Sequence, residues 1–150
     1  MMQQLANNVQ FVYCLATDAA ASDTDADGAV VDTANFDGCI FVTSIEDSVA
    51  TGVATLTAMQ CDTSGGTYAA LSGAVATATS ATNDDLNTKL LVVDVYRPRE
   101  RYLKANITSA TANIAFGATY AILYSGRVQP VTQLTAEVAQ LTKVASPAEA

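Results

Sequence analysis

Lys89-Leu90-Leu91-Val92-Val93-Asp94-Val95-Tyr96, Arg97-Pro98-Arg99-Glu100 and Arg101-Tyr102-Leu103-Lys104-Ala105-Asn106-Ile107-Thr108 follow one another in the chain, and their reading decides the fold. Side chains of an extended strand point alternately to its two faces. In the first run Leu91, Val93 and Val95 fall on one side, with Asp94 and Tyr96 on the other. In the last run Leu103, Ala105 and Ile107 point inward, with Tyr102, Lys104 and Asn106 outward. Pro98 separates the runs, as at a strand end, because proline cannot donate to a ladder. Two strands, each with one buried face, are predicted.

The same pattern extends outward in both directions. Val9–Leu15, Cys39–Ile45, Gly52–Met59 and Asn113–Gly126 read as strands, and Tyr68–Ala78 as a weaker one. Ala29–Thr33 reads as a short strand. Cys39–Ile45 is apolar on both faces, which predicts cover from a second sheet or a neighbouring subunit. Asp18–Gly28 and Ser80–Asn87 are polar and read as loops, and Asn35-Phe36-Asp37-Gly38 as a turn with Asp-Gly supplying positive φ. Seven or eight short strands without a strong helical period predict an all-β chain, an antiparallel β-sandwich or jelly roll. After Pro130, Leu134, Val138 and Leu141 recur at helical spacing, so a C-terminal arm or short helix is expected. The domain reading is an N-terminal arm over 1–8, a sandwich over 9–128 and a C-terminal arm over 129–150, frayed from Ser146 to Ala150.

Composition removes several chemistries. The 150 residues carry a net charge of -8, and 15% are charged, against about 25% in a typical soluble domain. There is no His and no Trp. Ser-His-Asp and Cys-His nucleophilic catalysis are therefore excluded, as is every imidazole-ligated metal site. Residues 1–88 hold eleven acids and no Lys or Arg, while all seven cations follow. Such a chain is a poor nucleic-acid ligand, because that binding rests on cations that displace phosphate counterions. No secretory signal and no transmembrane helix are expected. Cys14, Cys39 and Cys61 form no CxxC pair and read as reduced core thiols. No enzymatic role and no cofactor are predicted, since nothing gathers a carboxylate pair on one wall of a cleft.

Three features are candidate sites. Asp23-Thr24-Asp25-Ala26-Asp27-Gly28 has the D-x-D-x-D-G pattern of a calcium loop, but its twelfth position is Ala34 rather than a bidentate Glu. A solvated acidic loop is favoured, and Asp23, Asp25 and Asp27 remain the one weak cation candidate. The octet 97–104 holds four of the seven cations. It reads as a solvated hairpin corner, or as a contact in which Arg97, Arg99, Arg101 and Lys104 meet carboxylates of a neighbour. Ile40, Val42, Leu90, Val92, Tyr120 and Tyr124 place apolar groups on outward strand faces, a pattern that marks an interface and predicts self-association.

Val30-Val31-Asp32-Thr33-Ala34-Asn35-Phe36-Asp37-Gly38-Cys39-Ile40-Phe41-Val42, Arg101-Tyr102-Leu103-Lys104-Ala105 and Ala121-Ile122-Leu123-Tyr124-Ser125-Gly126-Arg127 resemble segments of the small β-rich virion proteins of tailed bacteriophages. The capsid cement, or decoration, proteins are the closest likeness. The resemblance covers about residues 30 to 128 and leaves out the acidic segment and the tail. It implies a non-catalytic protein on the capsid surface, made in the host bacterial cytoplasm. It implies binding to the major capsid protein and to itself, as a trimer rather than a dimer, with no nucleic acid or membrane partner. Arg97, Arg99, Arg101 and Lys104, with Leu134, Val138 and Leu141 of the arm, are the expected contacts. A head-tail connector or tail component, a small carbohydrate-binding β-sandwich and an acid-catalysed hydrolase are the alternatives.

Overall fold

A computed structural model of the chain describes residues 4–145. The expected frayed end Ser146–Ala150 and the first three residues of the expected N-terminal arm lie outside them. Ten strands follow in order: β1 Gln10–Leu15, β2 Asp18–Ala21, β3 Asp25–Asp27, β4 Val31–Asp32, β5 Gly38–Ser48, β6 Val53–Cys61, β7 Ala69–Thr79, β8 Lys89–Tyr96, β9 Tyr102–Ala110 and β10 Ile114–Tyr124. They form two antiparallel sheets. The first has the order β1-β10-β5-β8 with β2 also on β10, and the second β3-β9-β6-β7 with β4 also on β9.

β1 and β2 are two segments of one edge along β10, and β3 and β4 two segments of one edge along β9. Counted as single strands, the sheets read 1-8-3-6 and 2-7-4-5. That is the double Greek key of an eight-stranded jelly roll. The predicted all-β sandwich is therefore the observed fold.

The core fills the space between the sheets. Phe41 and Ile45 of β5, Leu56 of β6, Leu103 and Ile107 of β9, and Phe116 and Leu123 of β10 are fully buried. Each such side chain stabilises the fold by about 1.5–3 kcal/mol on burial. β8 and β9 bury the residues that alternation assigns inward: Leu91, Val93, Val95, Leu103, Ala105 and Ile107. On β10 the register slips between Phe116 and Thr119, so both point inward although three residues apart.

Three local expectations are corrected, and a fourth is decided between its two alternatives. The acidic stretch 18–28 is not a loop: it supplies β2 and β3, because the chain is pinned along two sheet edges whatever its polarity. The positive φ in the turn before β5 belongs to Asn35 (69°), not to the glycine. β8 and β9 belong to different sheets, so 97–101 is a corner between layers rather than a hairpin. The C-terminal segment is an arm with one turn at Leu134–Val138, and no α-helix occurs among the described residues. Its helical spacing is overridden by docking of the arm onto its own sheet.

Candidate functional site

The outer face of the first sheet gathers the outward apolar residues into rows. Register aligns Tyr13, Tyr120, Val42 and Val92 across all four strands, and Phe11, Ile122, Ile40 and Asp94 beside them. Leu90 and Tyr96 extend the face along β8, each 61% exposed, with Val92 at 49%. The Tyr13 and Tyr120 rings meet edge to face, with centroids 5.5 Å apart. Asp94 is the charge within these rows, and Tyr124 Oη donates to its Oδ1 at 2.7 Å. The Tyr124 ring crosses β5 at Gly38, where any Cβ would overlap it. Burial first, then the bond to Asp94, pushes the Tyr124 phenol well above its ordinary pKa.

The second sheet presents a different surface. Thr108, Thr55 and Thr77 lie in one row across β9, β6 and β7, and the Thr55 and Thr77 hydroxyls are 3.2 Å apart. Asn106 Nδ2 donates to Asp25 and to Asp27, at 2.8 Å each. Those two carboxylates lie on one face of β3 and are bridged by an amide instead of curling around a centre. Asp23 precedes the strand, and no group of three such side chains suited to a metal occurs among the described residues. Lys104 also projects from this sheet, with Nζ 4.5 Å from the centre of the Tyr68 ring.

The C-terminal arm borders the apolar face. Gln133 Oε1 accepts from Phe11 N–H at 3.0 Å, and Glu137 Oε2 from Tyr13 N–H at 2.9 Å. Gln133 Nε2 donates to Val9 O at 2.7 Å, and Lys143 Nζ to Asn7 Oδ1 at 2.8 Å. Side chains of the arm thus satisfy the free edge of β1, which would otherwise be a template for another strand. Val138 and Leu141 overhang Phe11, Tyr13, Val42, Tyr120 and Ile122, leaving a groove of about 570 Å³. Leu134, 46% exposed, lies apart from them beside the β4 edge. The three expected arm contacts therefore share no single stripe, and two of them lie on their own sheet.

The arginines occupy one end of the sandwich. A cleft of about 490 Å³ is lined by Arg97, Arg99, Arg101 and Arg127, with Asp37 and Glu100. Arg101 grips Asp32 with two bonds, of 2.8 and 2.7 Å. The bonds from Arg101 hold the Asp32 carboxyl below the usual carboxylate range. Arg127 reaches Asp37 at 3.3 Å. Arg97 lies 5.1 Å from the centre of the Tyr96 ring, and its N–H donates to Asp37 O at 2.7 Å. Three of the four expected cations thus meet here, and Lys104 does not. Arg127, Phe11 and Tyr13 were missed by sequence reasoning. The alternation of Phe11 and Tyr13 with buried Val12 and Cys14 is the signal that could have found two of them.

Fold and surfaces together define a class: a jelly-roll β-sandwich whose distinctive features, among the described residues, are one apolar face, one polar face and one arginine-lined end. No helix among the described residues is long and apolar enough to cross a membrane. A scan of protein-family models matches none of them to this chain, and a search of curated proteins gives no match either.

Proposed function

We propose that the chain is a structural virion protein of a tailed bacteriophage that binds the outside of the capsid and stabilises it. The observation that carries this reading is the contrast between the two outer faces. One carries rows of threonine with Asn106 and Lys104 and, among the described residues, a single exposed Val75, while the other carries aligned Tyr, Ile, Val and Leu side chains left partly open by the arm. A contiguous apolar face rimmed by polar groups is the mark of a protein-binding surface. A broad face of this kind suits a protein that spans neighbouring shell subunits, where many modest contacts add through avidity. Catalysis has no part in this proposal. The partners are the major capsid protein and further copies of the chain, as a trimer rather than a dimer, and the location is the virion surface.

The test is co-sedimentation of the purified chain with expanded capsids of the phage that encodes it, followed by heating of the decorated shells. Saturable binding and a higher disruption temperature are expected. No capsid binding, together with rings or tubes of the chain alone in electron micrographs, would favour a connector or tail role. The exposed Tyr13, Tyr96 and Tyr120 favour a carbohydrate-binding reading, which a glycan-array signal would establish instead.

A further inference from the structure

The arginines and a group of acids lie at opposite ends of the sandwich, with Asp32 and Asp37 accompanying the arginines and Lys89, paired with Ile45, accompanying the acids. Gly38, Tyr96 and Tyr124 pair at one end of the first sheet, while Ser48 pairs with Ile114 at the other. All four arginines of the chain line the cleft at the first end. Glu46 and Asp47 close β5 at the second end. Asp84 adjoins them, since its N–H donates to Ser48 O at 2.7 Å.

Both ends have charge left to satisfy. The two ion pairs among the described residues, Arg101–Asp32 and Arg127–Asp37, both lie at the arginine end. Arg97 and Arg99 have no carboxylate within 4.0 Å among the described residues. Stacking on Tyr96 and the backbone bond to Asp37 already orient Arg97, so little freedom is lost when its fork meets an acceptor. At the opposite end, Asp47 is exposed and its carboxylate accepts no hydrogen bond among the described residues. The Asp84 carboxylate accepts one, from Asn87 Nδ2 at 3.1 Å. By contrast, Asp85 is spent on its own loop, accepting from Ser80 Oγ and from the N–H groups of Ala81 and Thr82.

We propose that copies of this chain associate head to tail, with the arginine cleft of one copy receiving the Asp47 and Asp84 end of the next. Guanidinium forks bind carboxylates at two points, which gives direction as well as attraction. The contact uses two different surfaces, so it closes into a ring or continues as an open series. A net charge of -8 makes whole copies repel. That repulsion is screened beyond about 8 Å at physiological salt, whereas paired groups in contact are screened less. The inference deepens the self-association within the proposed function and rests on it.

Light scattering after size exclusion tests the contact on the full chain, with Arg99→Glu, Asp47→Lys and the two combined. Matching thermal midpoints establish that each variant folds. The wild type is expected above monomer mass at physiological salt and to dissociate near about 1 M salt, where screening reaches about 3 Å. Each single reversal weakens association at least about tenfold, and the double reversal recovers it because the new charges again oppose. Unchanged mass in either single variant overturns the contact, as does a double variant that stays dissociated. A wild type that is monomeric throughout also overturns it, while capsid binding is read separately by co-sedimentation. If Arg99→Glu lowers capsid binding but leaves the mass of the free protein unchanged, the carboxylates belong to another protein and the head-to-tail contact fails.

Discussion

Thr43 and Thr119 face each other on the inner side of the first sheet, both fully buried, and they differ in one hydrogen bond. Thr43 Oγ1 donates to Gly117 O at 3.3 Å, whereas Thr119 Oγ1 has no partner among the described residues. A buried hydroxyl left unpaired costs about 1–3 kcal/mol. Thr119→Val is therefore expected to be neutral or stabilising by about 1 kcal/mol, and Thr43→Val destabilising by about 1 kcal/mol. Urea unfolding checks the pair, and equal losses in both variants would contradict the account. A second prediction concerns Asp32. Its folded pKa is depressed by Arg101, so the pair stabilises the fold above the unfolded value of about 4 and stops doing so as pH falls through the folded value. Asp32→Asn should thus be less stable than wild type near neutrality and equal to it in strong acid. A gap that persists in acid would refute the assignment. Burial pushes the Cys14 thiol up to about 12 and raises Cys39 as well. Both should resist alkylation in the native state and react once denatured, as mass spectrometry would show. The apolar neighbours of these two cysteines made their burial legible from sequence. The unequal threonines were not legible, because alternation assigns a face and says nothing of partners.

At the scale of elements, the arm is what finishes the first sheet. Gln133 and Glu137 accept the outward N–H groups of Phe11 and Tyr13, so replacing both by Ala should loosen that edge alone. Amide exchange at Phe11 and Tyr13 is expected to quicken by about tenfold, the equivalent of about 1.4 kcal/mol per site, while β5 and β10 stay protected. Unchanged exchange at these two amides would remove the arm from the account of edge protection. β6, β8 and β9 were legible because their apolar period of two survives folding intact, and β5 because Cys39-Ile40-Phe41-Val42 is a continuous apolar run. β2 and β3 were not, since Asp18–Ala21 and Asp25–Asp27 carry no apolar alternation and are strands only through their pairing with β10 and β9. The arm misled for the opposite reason. Leu134, Val138 and Leu141 have helical spacing, yet the tertiary contacts of Gln133, Glu137 and Lys143 hold the segment extended around one turn.

For the whole molecule, composition and alternation predicted a sandwich but left the two outer faces unranked. Ile40, Val42, Leu90 and Val92 were readable as outward and apolar; that they join Phe11, Tyr13, Tyr120 and Ile122 on one surface follows only from the jelly-roll strand order. The arginines of the second part gather at one end with Asp32 and Asp37 of the first, while Asp47 and Asp84 lie at the other end, where Lys89 opens β8. Val92 lies midway along the edge strand β8, on the side of the apolar face that the arm leaves open, half exposed and pointing away from the core. Lysine is well tolerated on a sheet edge, so Val92→Lys should leave the thermal midpoint unchanged while placing a charge in the proposed contact. The decisive measurement is co-sedimentation of wild type and Val92→Lys with expanded, undecorated capsids of the encoding phage. The account predicts saturable binding by the wild type and binding weakened at least about tenfold in the variant. Equal binding by the two proteins, or no binding by the wild type, would contradict it.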